Sequence, residues 1–540
     1  MRPISEIAEK LGLGPDVIIP YGHYKAKLPL SATRRNGHRG KMVVVTGITP
    51  TPAGEGKTTT TVGLVQGFGA IGKNAVATLR EPSLGPIFGI KGGGTGGGKS
   101  TVEPQDEINI HFTGDAHAVG SANNLLAALT DNVAQRGQID GFDPTGVTWR
   151  RVTDVEERSL RSIISGLGGA NNAPLRETGF DIVTASEIMA ILALSSGLDD
   201  LRTRLARVVV GFTGEGRPVT ADDVGAVGSM MALLRYAIQP NLVQTAEGQP
   251  VTVHAGPFGN IAHGCSSVVA DRMMLTYADY VVSEAGFGAD LGFEKFMHIK
   301  ARFNDLEPHA AVLVATVRAL KSHGGVRRRD LESPNEDAVR KGVPNLEHMV
   351  GVIRSFGLPV VVAVNTFPSD TPGEMAIVKE HAVAAGASAA VESRIFEEGG
   401  AGGTELAEAV IAATDTAKPE ITYLYPEDAS IEAKVLALAT QVYGADDVQW
   451  SAPARRQLRK FGDLGWGSLP VCMAKTHLSL SHNPRLRGKP TGYTFQVSDV
   501  RASVGAGFIY PIAGSMVTLP GLPGSPRALD VDAEGNILGL

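Results

Sequence analysis

The stretch that most constrains this chain is KMVVVTGITPTPAGEGKTTTTVGLVQGFGAIG, residues 41–72. Val43 to Val45 read as a buried strand, and Leu64, Val65, Phe68 and Ile71 then recur at helical spacing. Strand, loop, helix is the context of a phosphate-binding loop, because a helix N-terminus offers unpaired N–H groups and partial positive charge. The standard loop is a Gly, four residues, then Gly-Lys-Ser/Thr. Here Gly56-Lys57-Thr58 closes the loop, but Thr51 stands where the first Gly belongs, between Pro50 and Pro52, which stiffen the entry. The candidate ATP-binding residues are Thr51, Pro52, Ala53, Gly54, Glu55, Gly56, Lys57 and Thr58. Lys57 supplies a point charge for the β- and γ-phosphates, and Thr58 a hydroxyl for Mg²⁺. The alternative is a tight strand-to-helix turn that binds nothing.

Short β-branched runs such as NAVATL (74–79), ARVVVGFT (206–213), YVVSEAG (280–286), AAVLVATV (310–317) and LPVVVAVN (358–365) alternate with Ala/Leu-rich segments. That alternation predicts an α/β fold built on a parallel sheet. A polar break with Gly and Pro at 321–342 marks one boundary, and YGADDVQW begins a less periodic stretch rich in Pro and Gly. The expected layout is a P-loop nucleotide-binding main domain over 1–330, a smaller α/β domain over 331–442, and an α/β or α+β C-terminal domain over 443–540. Ile4, Ile7, Ala8 and Leu11 predict a short amphipathic helix at the N-terminus.

Composition excludes several classes. With 50 basic and 56 acidic residues the net charge is -6, and RRR at 327–329 is the one dense cationic cluster, so nucleic-acid binding has no electrostatic footprint. The only cysteines, Cys265 and Cys472, form neither a disulfide framework nor a Cys-x-x-Cys metal pair. The longest apolar run is too short to span a bilayer, and the N-terminus lacks the apolar run of a secretory signal. A soluble, cytoplasmic protein is expected.

Three further stretches carry chemistry. NAVATL runs into Arg80-Glu81-Pro82. A right-handed crossover places Arg80 at the carboxyl edge of the sheet near the loop, where its fork can grip phosphate or carboxylate; an Arg paired with a neighbouring acid is the alternative. GIKGGGTGGGK (89–99) carries Lys91, and its glycines either wrap an anion or another subunit, or form a flexible linker. INIHFTGDAHA (108–118) holds His111, Asp115 and His117. These either gather a transition metal or position substrate, with Asp115 able to hold Mg²⁺ or accept a proton. His254 and His263 flank a turn-rich segment that reads as a packed loop or a site wall.

Together these motifs resemble the formate–tetrahydrofolate ligase family over essentially the whole chain. VATVRALKSHGG (314–325) is similar at every position to that family's second signature, and GIKGGGTGGGK to its first. TPAGEGKT, REPSLGP, HFTGDAHA, HAGPFGNIAHG, SEAGFGADLG, PVCMAKTHLSLS and VRASVGAGF are also similar to family segments. The family's loop has Thr at the place of Thr51, so this departure from the standard pattern is the family form. The resemblance implies ligation of formate to tetrahydrofolate with MgATP through formyl phosphate, giving 10-formyltetrahydrofolate, ADP and phosphate in one-carbon metabolism. It further implies a homotetramer activated by K⁺ or NH₄⁺. By the same resemblance Lys57, Arg80 and Asp115 are catalytic, and Phe367 and Phe396 hold the folate ring. Local departures are Gly94-Thr95 for Ala-Ala, Lys99 for Tyr, Cys265 for a common Asn, and Phe396 for Trp. The chain is expected to be monofunctional. A partner-regulating P-loop ATPase would carry a second Lys where Pro52 stands, and a non-catalytic scaffold would not need Lys57, Thr58, Arg80 and Asp115 together.

Overall fold

A computed structural model describes residues 1–540 except 34–38, 53, 90–93, 170, 171, 173, 174, 417, 418 and 540. The apolar runs form a parallel array in the order Pro250–Val253, Ala75–Leu79, Tyr280–Gly288, Lys41–Gly47, Pro308–Ala315, Val360–Asn365 and Ala389–Ser393. Met42 to Val45 are fully buried, as are Val360 to Val364. A parallel sheet covered by helices on both faces has no solvent side, so its strands read as continuous apolar runs rather than alternating ones.

One face is covered by the helix Lys57–Ala70, whose Val62, Leu64, Val65 and Phe68 pack with Leu406 and Val410 of the helix Thr404–Thr414. A second, larger cluster covers the other face and includes Val339, Leu346, Met349 and Ile353 of the helix Glu336–Ser355. The N-terminal helix Ile4–Lys10 buries Ile4, Ile7 and Ala8, the face that periodicity predicts.

Beyond Pro250–Val253 the sheet turns antiparallel. Asn241–Thr245 pairs there with both Ala26–Lys27 and Ser100–Glu103. Ala75–Leu79 is parallel to Lys41–Gly47, as expected, but Tyr280–Gly288 lies between them. The sheet is also continuous across residue 330, because Val360–Asn365 pairs directly with Pro308–Ala315.

The C-terminal segment carries the parallel pair Asp447–Trp450 and Thr494–Val497 and the hairpin Asp499–Ser503/Phe508–Ile512. It is bolted to the sheet by a fully buried ion pair, Lys475 Nζ to Asp290 Oδ2 at 2.7 Å. Among the described residues no helix is long and apolar enough to cross a membrane.

Candidate active site

The loop after Lys41–Gly47 is held by its own side chains. The Thr51 amide and hydroxyl donate to Glu55 Oε1 at 2.6 and 2.9 Å. Thr51 is therefore a staple across the loop, a task a Gly cannot perform. Burial raises the Glu55 carboxyl above its usual range; Lys57, with Nζ 4.0 Å away, and the Thr51 bonds oppose that shift. Gly56 caps the helix in the left-handed region, φ 76° and ψ 32°, which a side chain rarely adopts. Asn365, at the end of its strand, donates from Nδ2 to the Glu55 carbonyl at 2.9 Å. Ala53 lies outside the described residues, as does Lys91 in the Gly-rich stretch.

The stretch at 314–325 acts from behind. His323 Nε2 lies 2.9 Å from the Thr49 carbonyl, at the mouth of the loop. Lys321 forms a buried ion pair with Glu374 at 2.6 Å, and the Arg318 guanidinium lies 3.5 Å from the centroid of the Phe367 ring.

Three strand ends converge beside the loop. Thr58 donates to Glu284 Oε2 at 2.6 Å, and Arg80 Nη2 lies 3.9 Å from Glu284 Oε1. Arg80 Nε is buried without a hydrogen-bond partner. A side chain at Gly286 would place its Cβ 2.9 Å from Arg80 Nη2, so only Gly leaves the guanidinium its room. Thr58, Arg80, Glu81 and Glu284 line one cleft of about 450 Å³, with Phe258 and Phe287 among its apolar walls. Phe287 sits at φ 60°, unusual for an aromatic residue, and its ring stacks on His477 at 4.7 Å.

Asp115 stands behind this cleft rather than on its wall. Its oxygens accept from Lys27 Nζ at 2.8 and 2.9 Å and from Asn241 Nδ2 at 2.8 Å. Glu81 occupies the wall in front, with Oε2 buried and without a hydrogen-bond partner. Burial, then the nearby Asp115 charge, pushes its carboxyl well above the usual range. Among the described residues no group of three or more His, Cys, Asp and Glu could hold a metal, so His111, Asp115 and His117 do not gather as a transition-metal set. His254 is a structural residue: it is buried between Ser267 Oγ and the Ala237 carbonyl, each at 2.6 Å, and burial lowers its pKa to about 4. The segment between His254 and His263 does wall the cleft, through Gly256 and residues 258–260.

The family model described as Formate--tetrahydrofolate ligase matches residues 1–540. The chain belongs to the formate–tetrahydrofolate ligase family. It is 54% identical over 552 aligned residues to a protein of that name from Roseiflexus sp. (strain RS-1), covering all of this chain and 98% of the relative. Relatives of the same name from Desulforamulus reducens and Saccharopolyspora erythraea are 51% and 52% identical, each covering all of this chain and 97% of the relative. The family is one of ligases.

For a member of this family, the two phenylalanines are placed informatively. They follow the adjacent strands Val360–Asn365 and Ala389–Ser393, so both stand at the carboxyl edge, and the Thr366 N–H donates to the Ser393 carbonyl at 3.1 Å. Phe396 is 56% exposed, and its carbonyl accepts from the Lys99 amide at 2.9 Å, tying it to the end of the Gly-rich stretch. Phe367 is half-buried under Arg318. Among the described residues no ring contact joins the two, and neither lines the cleft that holds Arg80.

Residue-by-residue reading of the motifs passed over Glu284, Glu81, Lys27 and the segment 516–521 that closes the cleft. An acid ending the apolar run YVVSEAG was a usable signal for Glu284. Lys27 and the closing segment have no local signature.

Proposed function

We propose that the chain joins formate to tetrahydrofolate, converting ATP to ADP and phosphate and yielding 10-formyltetrahydrofolate. The observation that carries this reading is the meeting of Thr58, Arg80 and Glu284 at one carboxyl edge, beside a partly apolar cleft, with Lys57 the residue before Thr58 at the start of its helix. Carboxyl edges of parallel sheets are where such folds bind ligands.

In this reading a formate oxygen attacks the γ-phosphorus of ATP, and the bond to the ADP oxygen breaks. Formyl phosphate results. N10 of tetrahydrofolate then attacks the formyl carbon, the carbon–oxygen bond to phosphate breaks, and N10 loses its proton. Formate needs this activation because its own leaving group would be an oxide. Two anions must approach each other, so cations are required. Lys57 neutralises phosphate charge as a point charge, and Arg80 offers a planar fork with an unspent Nε to formate or phosphate. The oxygen donors of Thr58 and Glu284 suit the Mg²⁺ that accompanies ATP. Asp115 acts as a fixed charge behind Glu81. Phe367 and Phe396 grip the pterin. The same reading includes a homotetramer in the cytoplasm and activation by K⁺ or NH₄⁺.

The competing reading is a regulatory ATPase, disfavoured by Pro52 where a second Lys would stand. ADP release decides between them. It is expected only when formate and tetrahydrofolate are both present; ADP release at full rate with neither would overturn the ligase assignment.

A further inference from the structure

A second chamber backs onto the cleft. Its volume is about 510 Å³, within the range of small-molecule sites. Two segments form the partition between them. Residues 184 and 258–260 face the cleft, whereas 185–187, 261 and 262 face the chamber. The Phe258 N–H donates to the Thr184 carbonyl at 2.9 Å and ties the two segments together.

The chamber walls are aromatic. Trp149, Phe212, Phe461 and Trp466 line it, and the Phe461 and Trp466 ring centroids are 5.6 Å apart. Lys460, on the helix Ala452–Asp463, extends into this setting with Nζ 3.2 Å from the centroid of the Phe212 ring. Lys460 is half-buried, and among the described residues no carboxylate pairs with it. The neighbouring cations are different: Arg150 is held by Asp181 and Arg501 by Asp499, each at 3.3 Å. Burial lowers the Lys460 ammonium below its usual range, and no acid opposes that shift. The ring face offsets part of that desolvation as a cation–π contact, and an incoming anion supplies the counter-charge that the described residues do not. Asp181 and Glu187 also line the chamber, the first paired with Arg150 and the second accepting from the Gly505 and Ala506 amides, so among the described lining residues Lys460 is the cation without a carboxylate partner. With the aromatic walls this sets the ligand's chemistry: a flat ring for the walls and a negative group for the ammonium.

We propose that this chamber is a binding site for a small aromatic anion, with its ring against the tryptophan-bearing wall and its carboxylate or phosphate at Lys460. The site is separate from the cleft that holds Arg80.

Isothermal titration of the whole protein, its substrate sites first filled with tetrahydrofolate and a non-hydrolysable ATP analogue, tests this, with 4-aminobenzoyl-glutamate as the aromatic carboxylate and adenosine monophosphate as the aromatic phosphate. Two of the three tryptophans of the chain line the chamber, so intrinsic fluorescence gives an independent readout. At least one probe is expected to bind, and the probe that binds names the anion class. Lys460→Gln should weaken it tenfold or more, Lys460→Arg should hold it within about threefold, and Arg80→Ala should leave it unchanged. Binding by neither probe would overturn the proposal. So would binding that survives Lys460→Gln, or binding lost in Arg80→Ala, which would seat the probe in the cleft. The Lys460→Arg protein guards against a folding defect, since it keeps the charge and the aliphatic stem.

Discussion

The Thr58 hydroxyl donates a 2.6 Å hydrogen bond to Glu284 Oε2, joining the first turn of the helix Lys57–Ala70 to the middle of the strand Tyr280–Gly288, where its regular pairing with Lys41–Gly47 breaks. Glu284 also faces Arg80 at 3.9 Å, so one carboxylate orients a hydroxyl and a guanidinium together. Glu284→Ala leaves both without that partner. Turnover is expected to fall on the order of 10²-fold, the scale of losing one preorganised polar group at a reacting centre. Glu284→Gln keeps a hydrogen-bond acceptor and should fall between the alanine protein and the parent. Steady-state kcat at saturating substrates is the measurement, and parental kcat in Glu284→Ala would remove this residue from the site.

Arg80 is expected to resist conservative replacement. Its Nε is buried and unpartnered, so the fork has a donor to spare that a lysine ammonium cannot present in the same plane. Losing one charge-assisted hydrogen bond, about 2 kcal/mol, lowers kcat/KM roughly 30-fold. Arg80→Lys should show that loss although the charge is retained. Equal kcat/KM in Arg80→Lys and the parent would mean that charge alone matters.

Phe396 is 56% exposed, so it contributes little to the core, and a surface substitution there should change stability by no more than about 0.5 kcal/mol. Stacking a flat heterocycle on an aromatic ring contributes about 1–3 kcal/mol, by analogy with nucleic-acid bases. Phe396→Ala should therefore raise KM for tetrahydrofolate about 10- to 100-fold and leave KM for ATP unmoved. Phe396→Trp should tighten folate binding modestly. Phe367→Ala also loses the Arg318 contact at 3.5 Å, so its melting temperature should drop along with folate binding. An unchanged folate KM in both alanine proteins would exclude a stacking role.

Glu187 opens the helix Glu187–Leu194, and its Oε1 accepts from the Gly505 and Ala506 amides at 2.7 and 3.2 Å. Burial raises its pKa from 4.5 to about 7, against the pull of those two amides. Between these values the folded chain keeps a proton that the unfolded chain has released, so stability falls as pH rises, by on the order of 3 kcal/mol. The favourable term is complete below pH 4.5 and gone above pH 7. Glu187→Gln removes this dependence. Its melting temperature relative to the parent should climb by about 3 °C from pH 5 to pH 8. A difference that stays flat or falls over that range would show that Glu187 ionises without penalty.

The strand-loop-helix around Lys57 was legible because its signals are local: an apolar run, Gly56 where the backbone turns left-handed, and helical periodicity after Thr58. The same holds for the N-terminal helix and for Arg80 at a strand terminus. Thr51 was different, since a pattern of residue types cannot say that its amide and hydroxyl clasp Glu55.

By itself, then, the sequence determined the α/β class, the family, and which short stretches turn at the strand ends, because each of these depends on residues within a few positions of one another. Only the tertiary structure decided that Tyr280–Gly288 separates the strands that lead into Lys57 and Arg80 and so delivers Glu284 between them. It likewise decided that Asp115 is saturated by Lys27, 88 positions earlier, and that Lys460 is half-buried against Phe212 with no carboxylate partner among the described residues. The physical reason is that strand order and burial are set by which distant surfaces exclude water together, and the charge a residue ends up facing is chosen by that packing rather than by its neighbours along the chain.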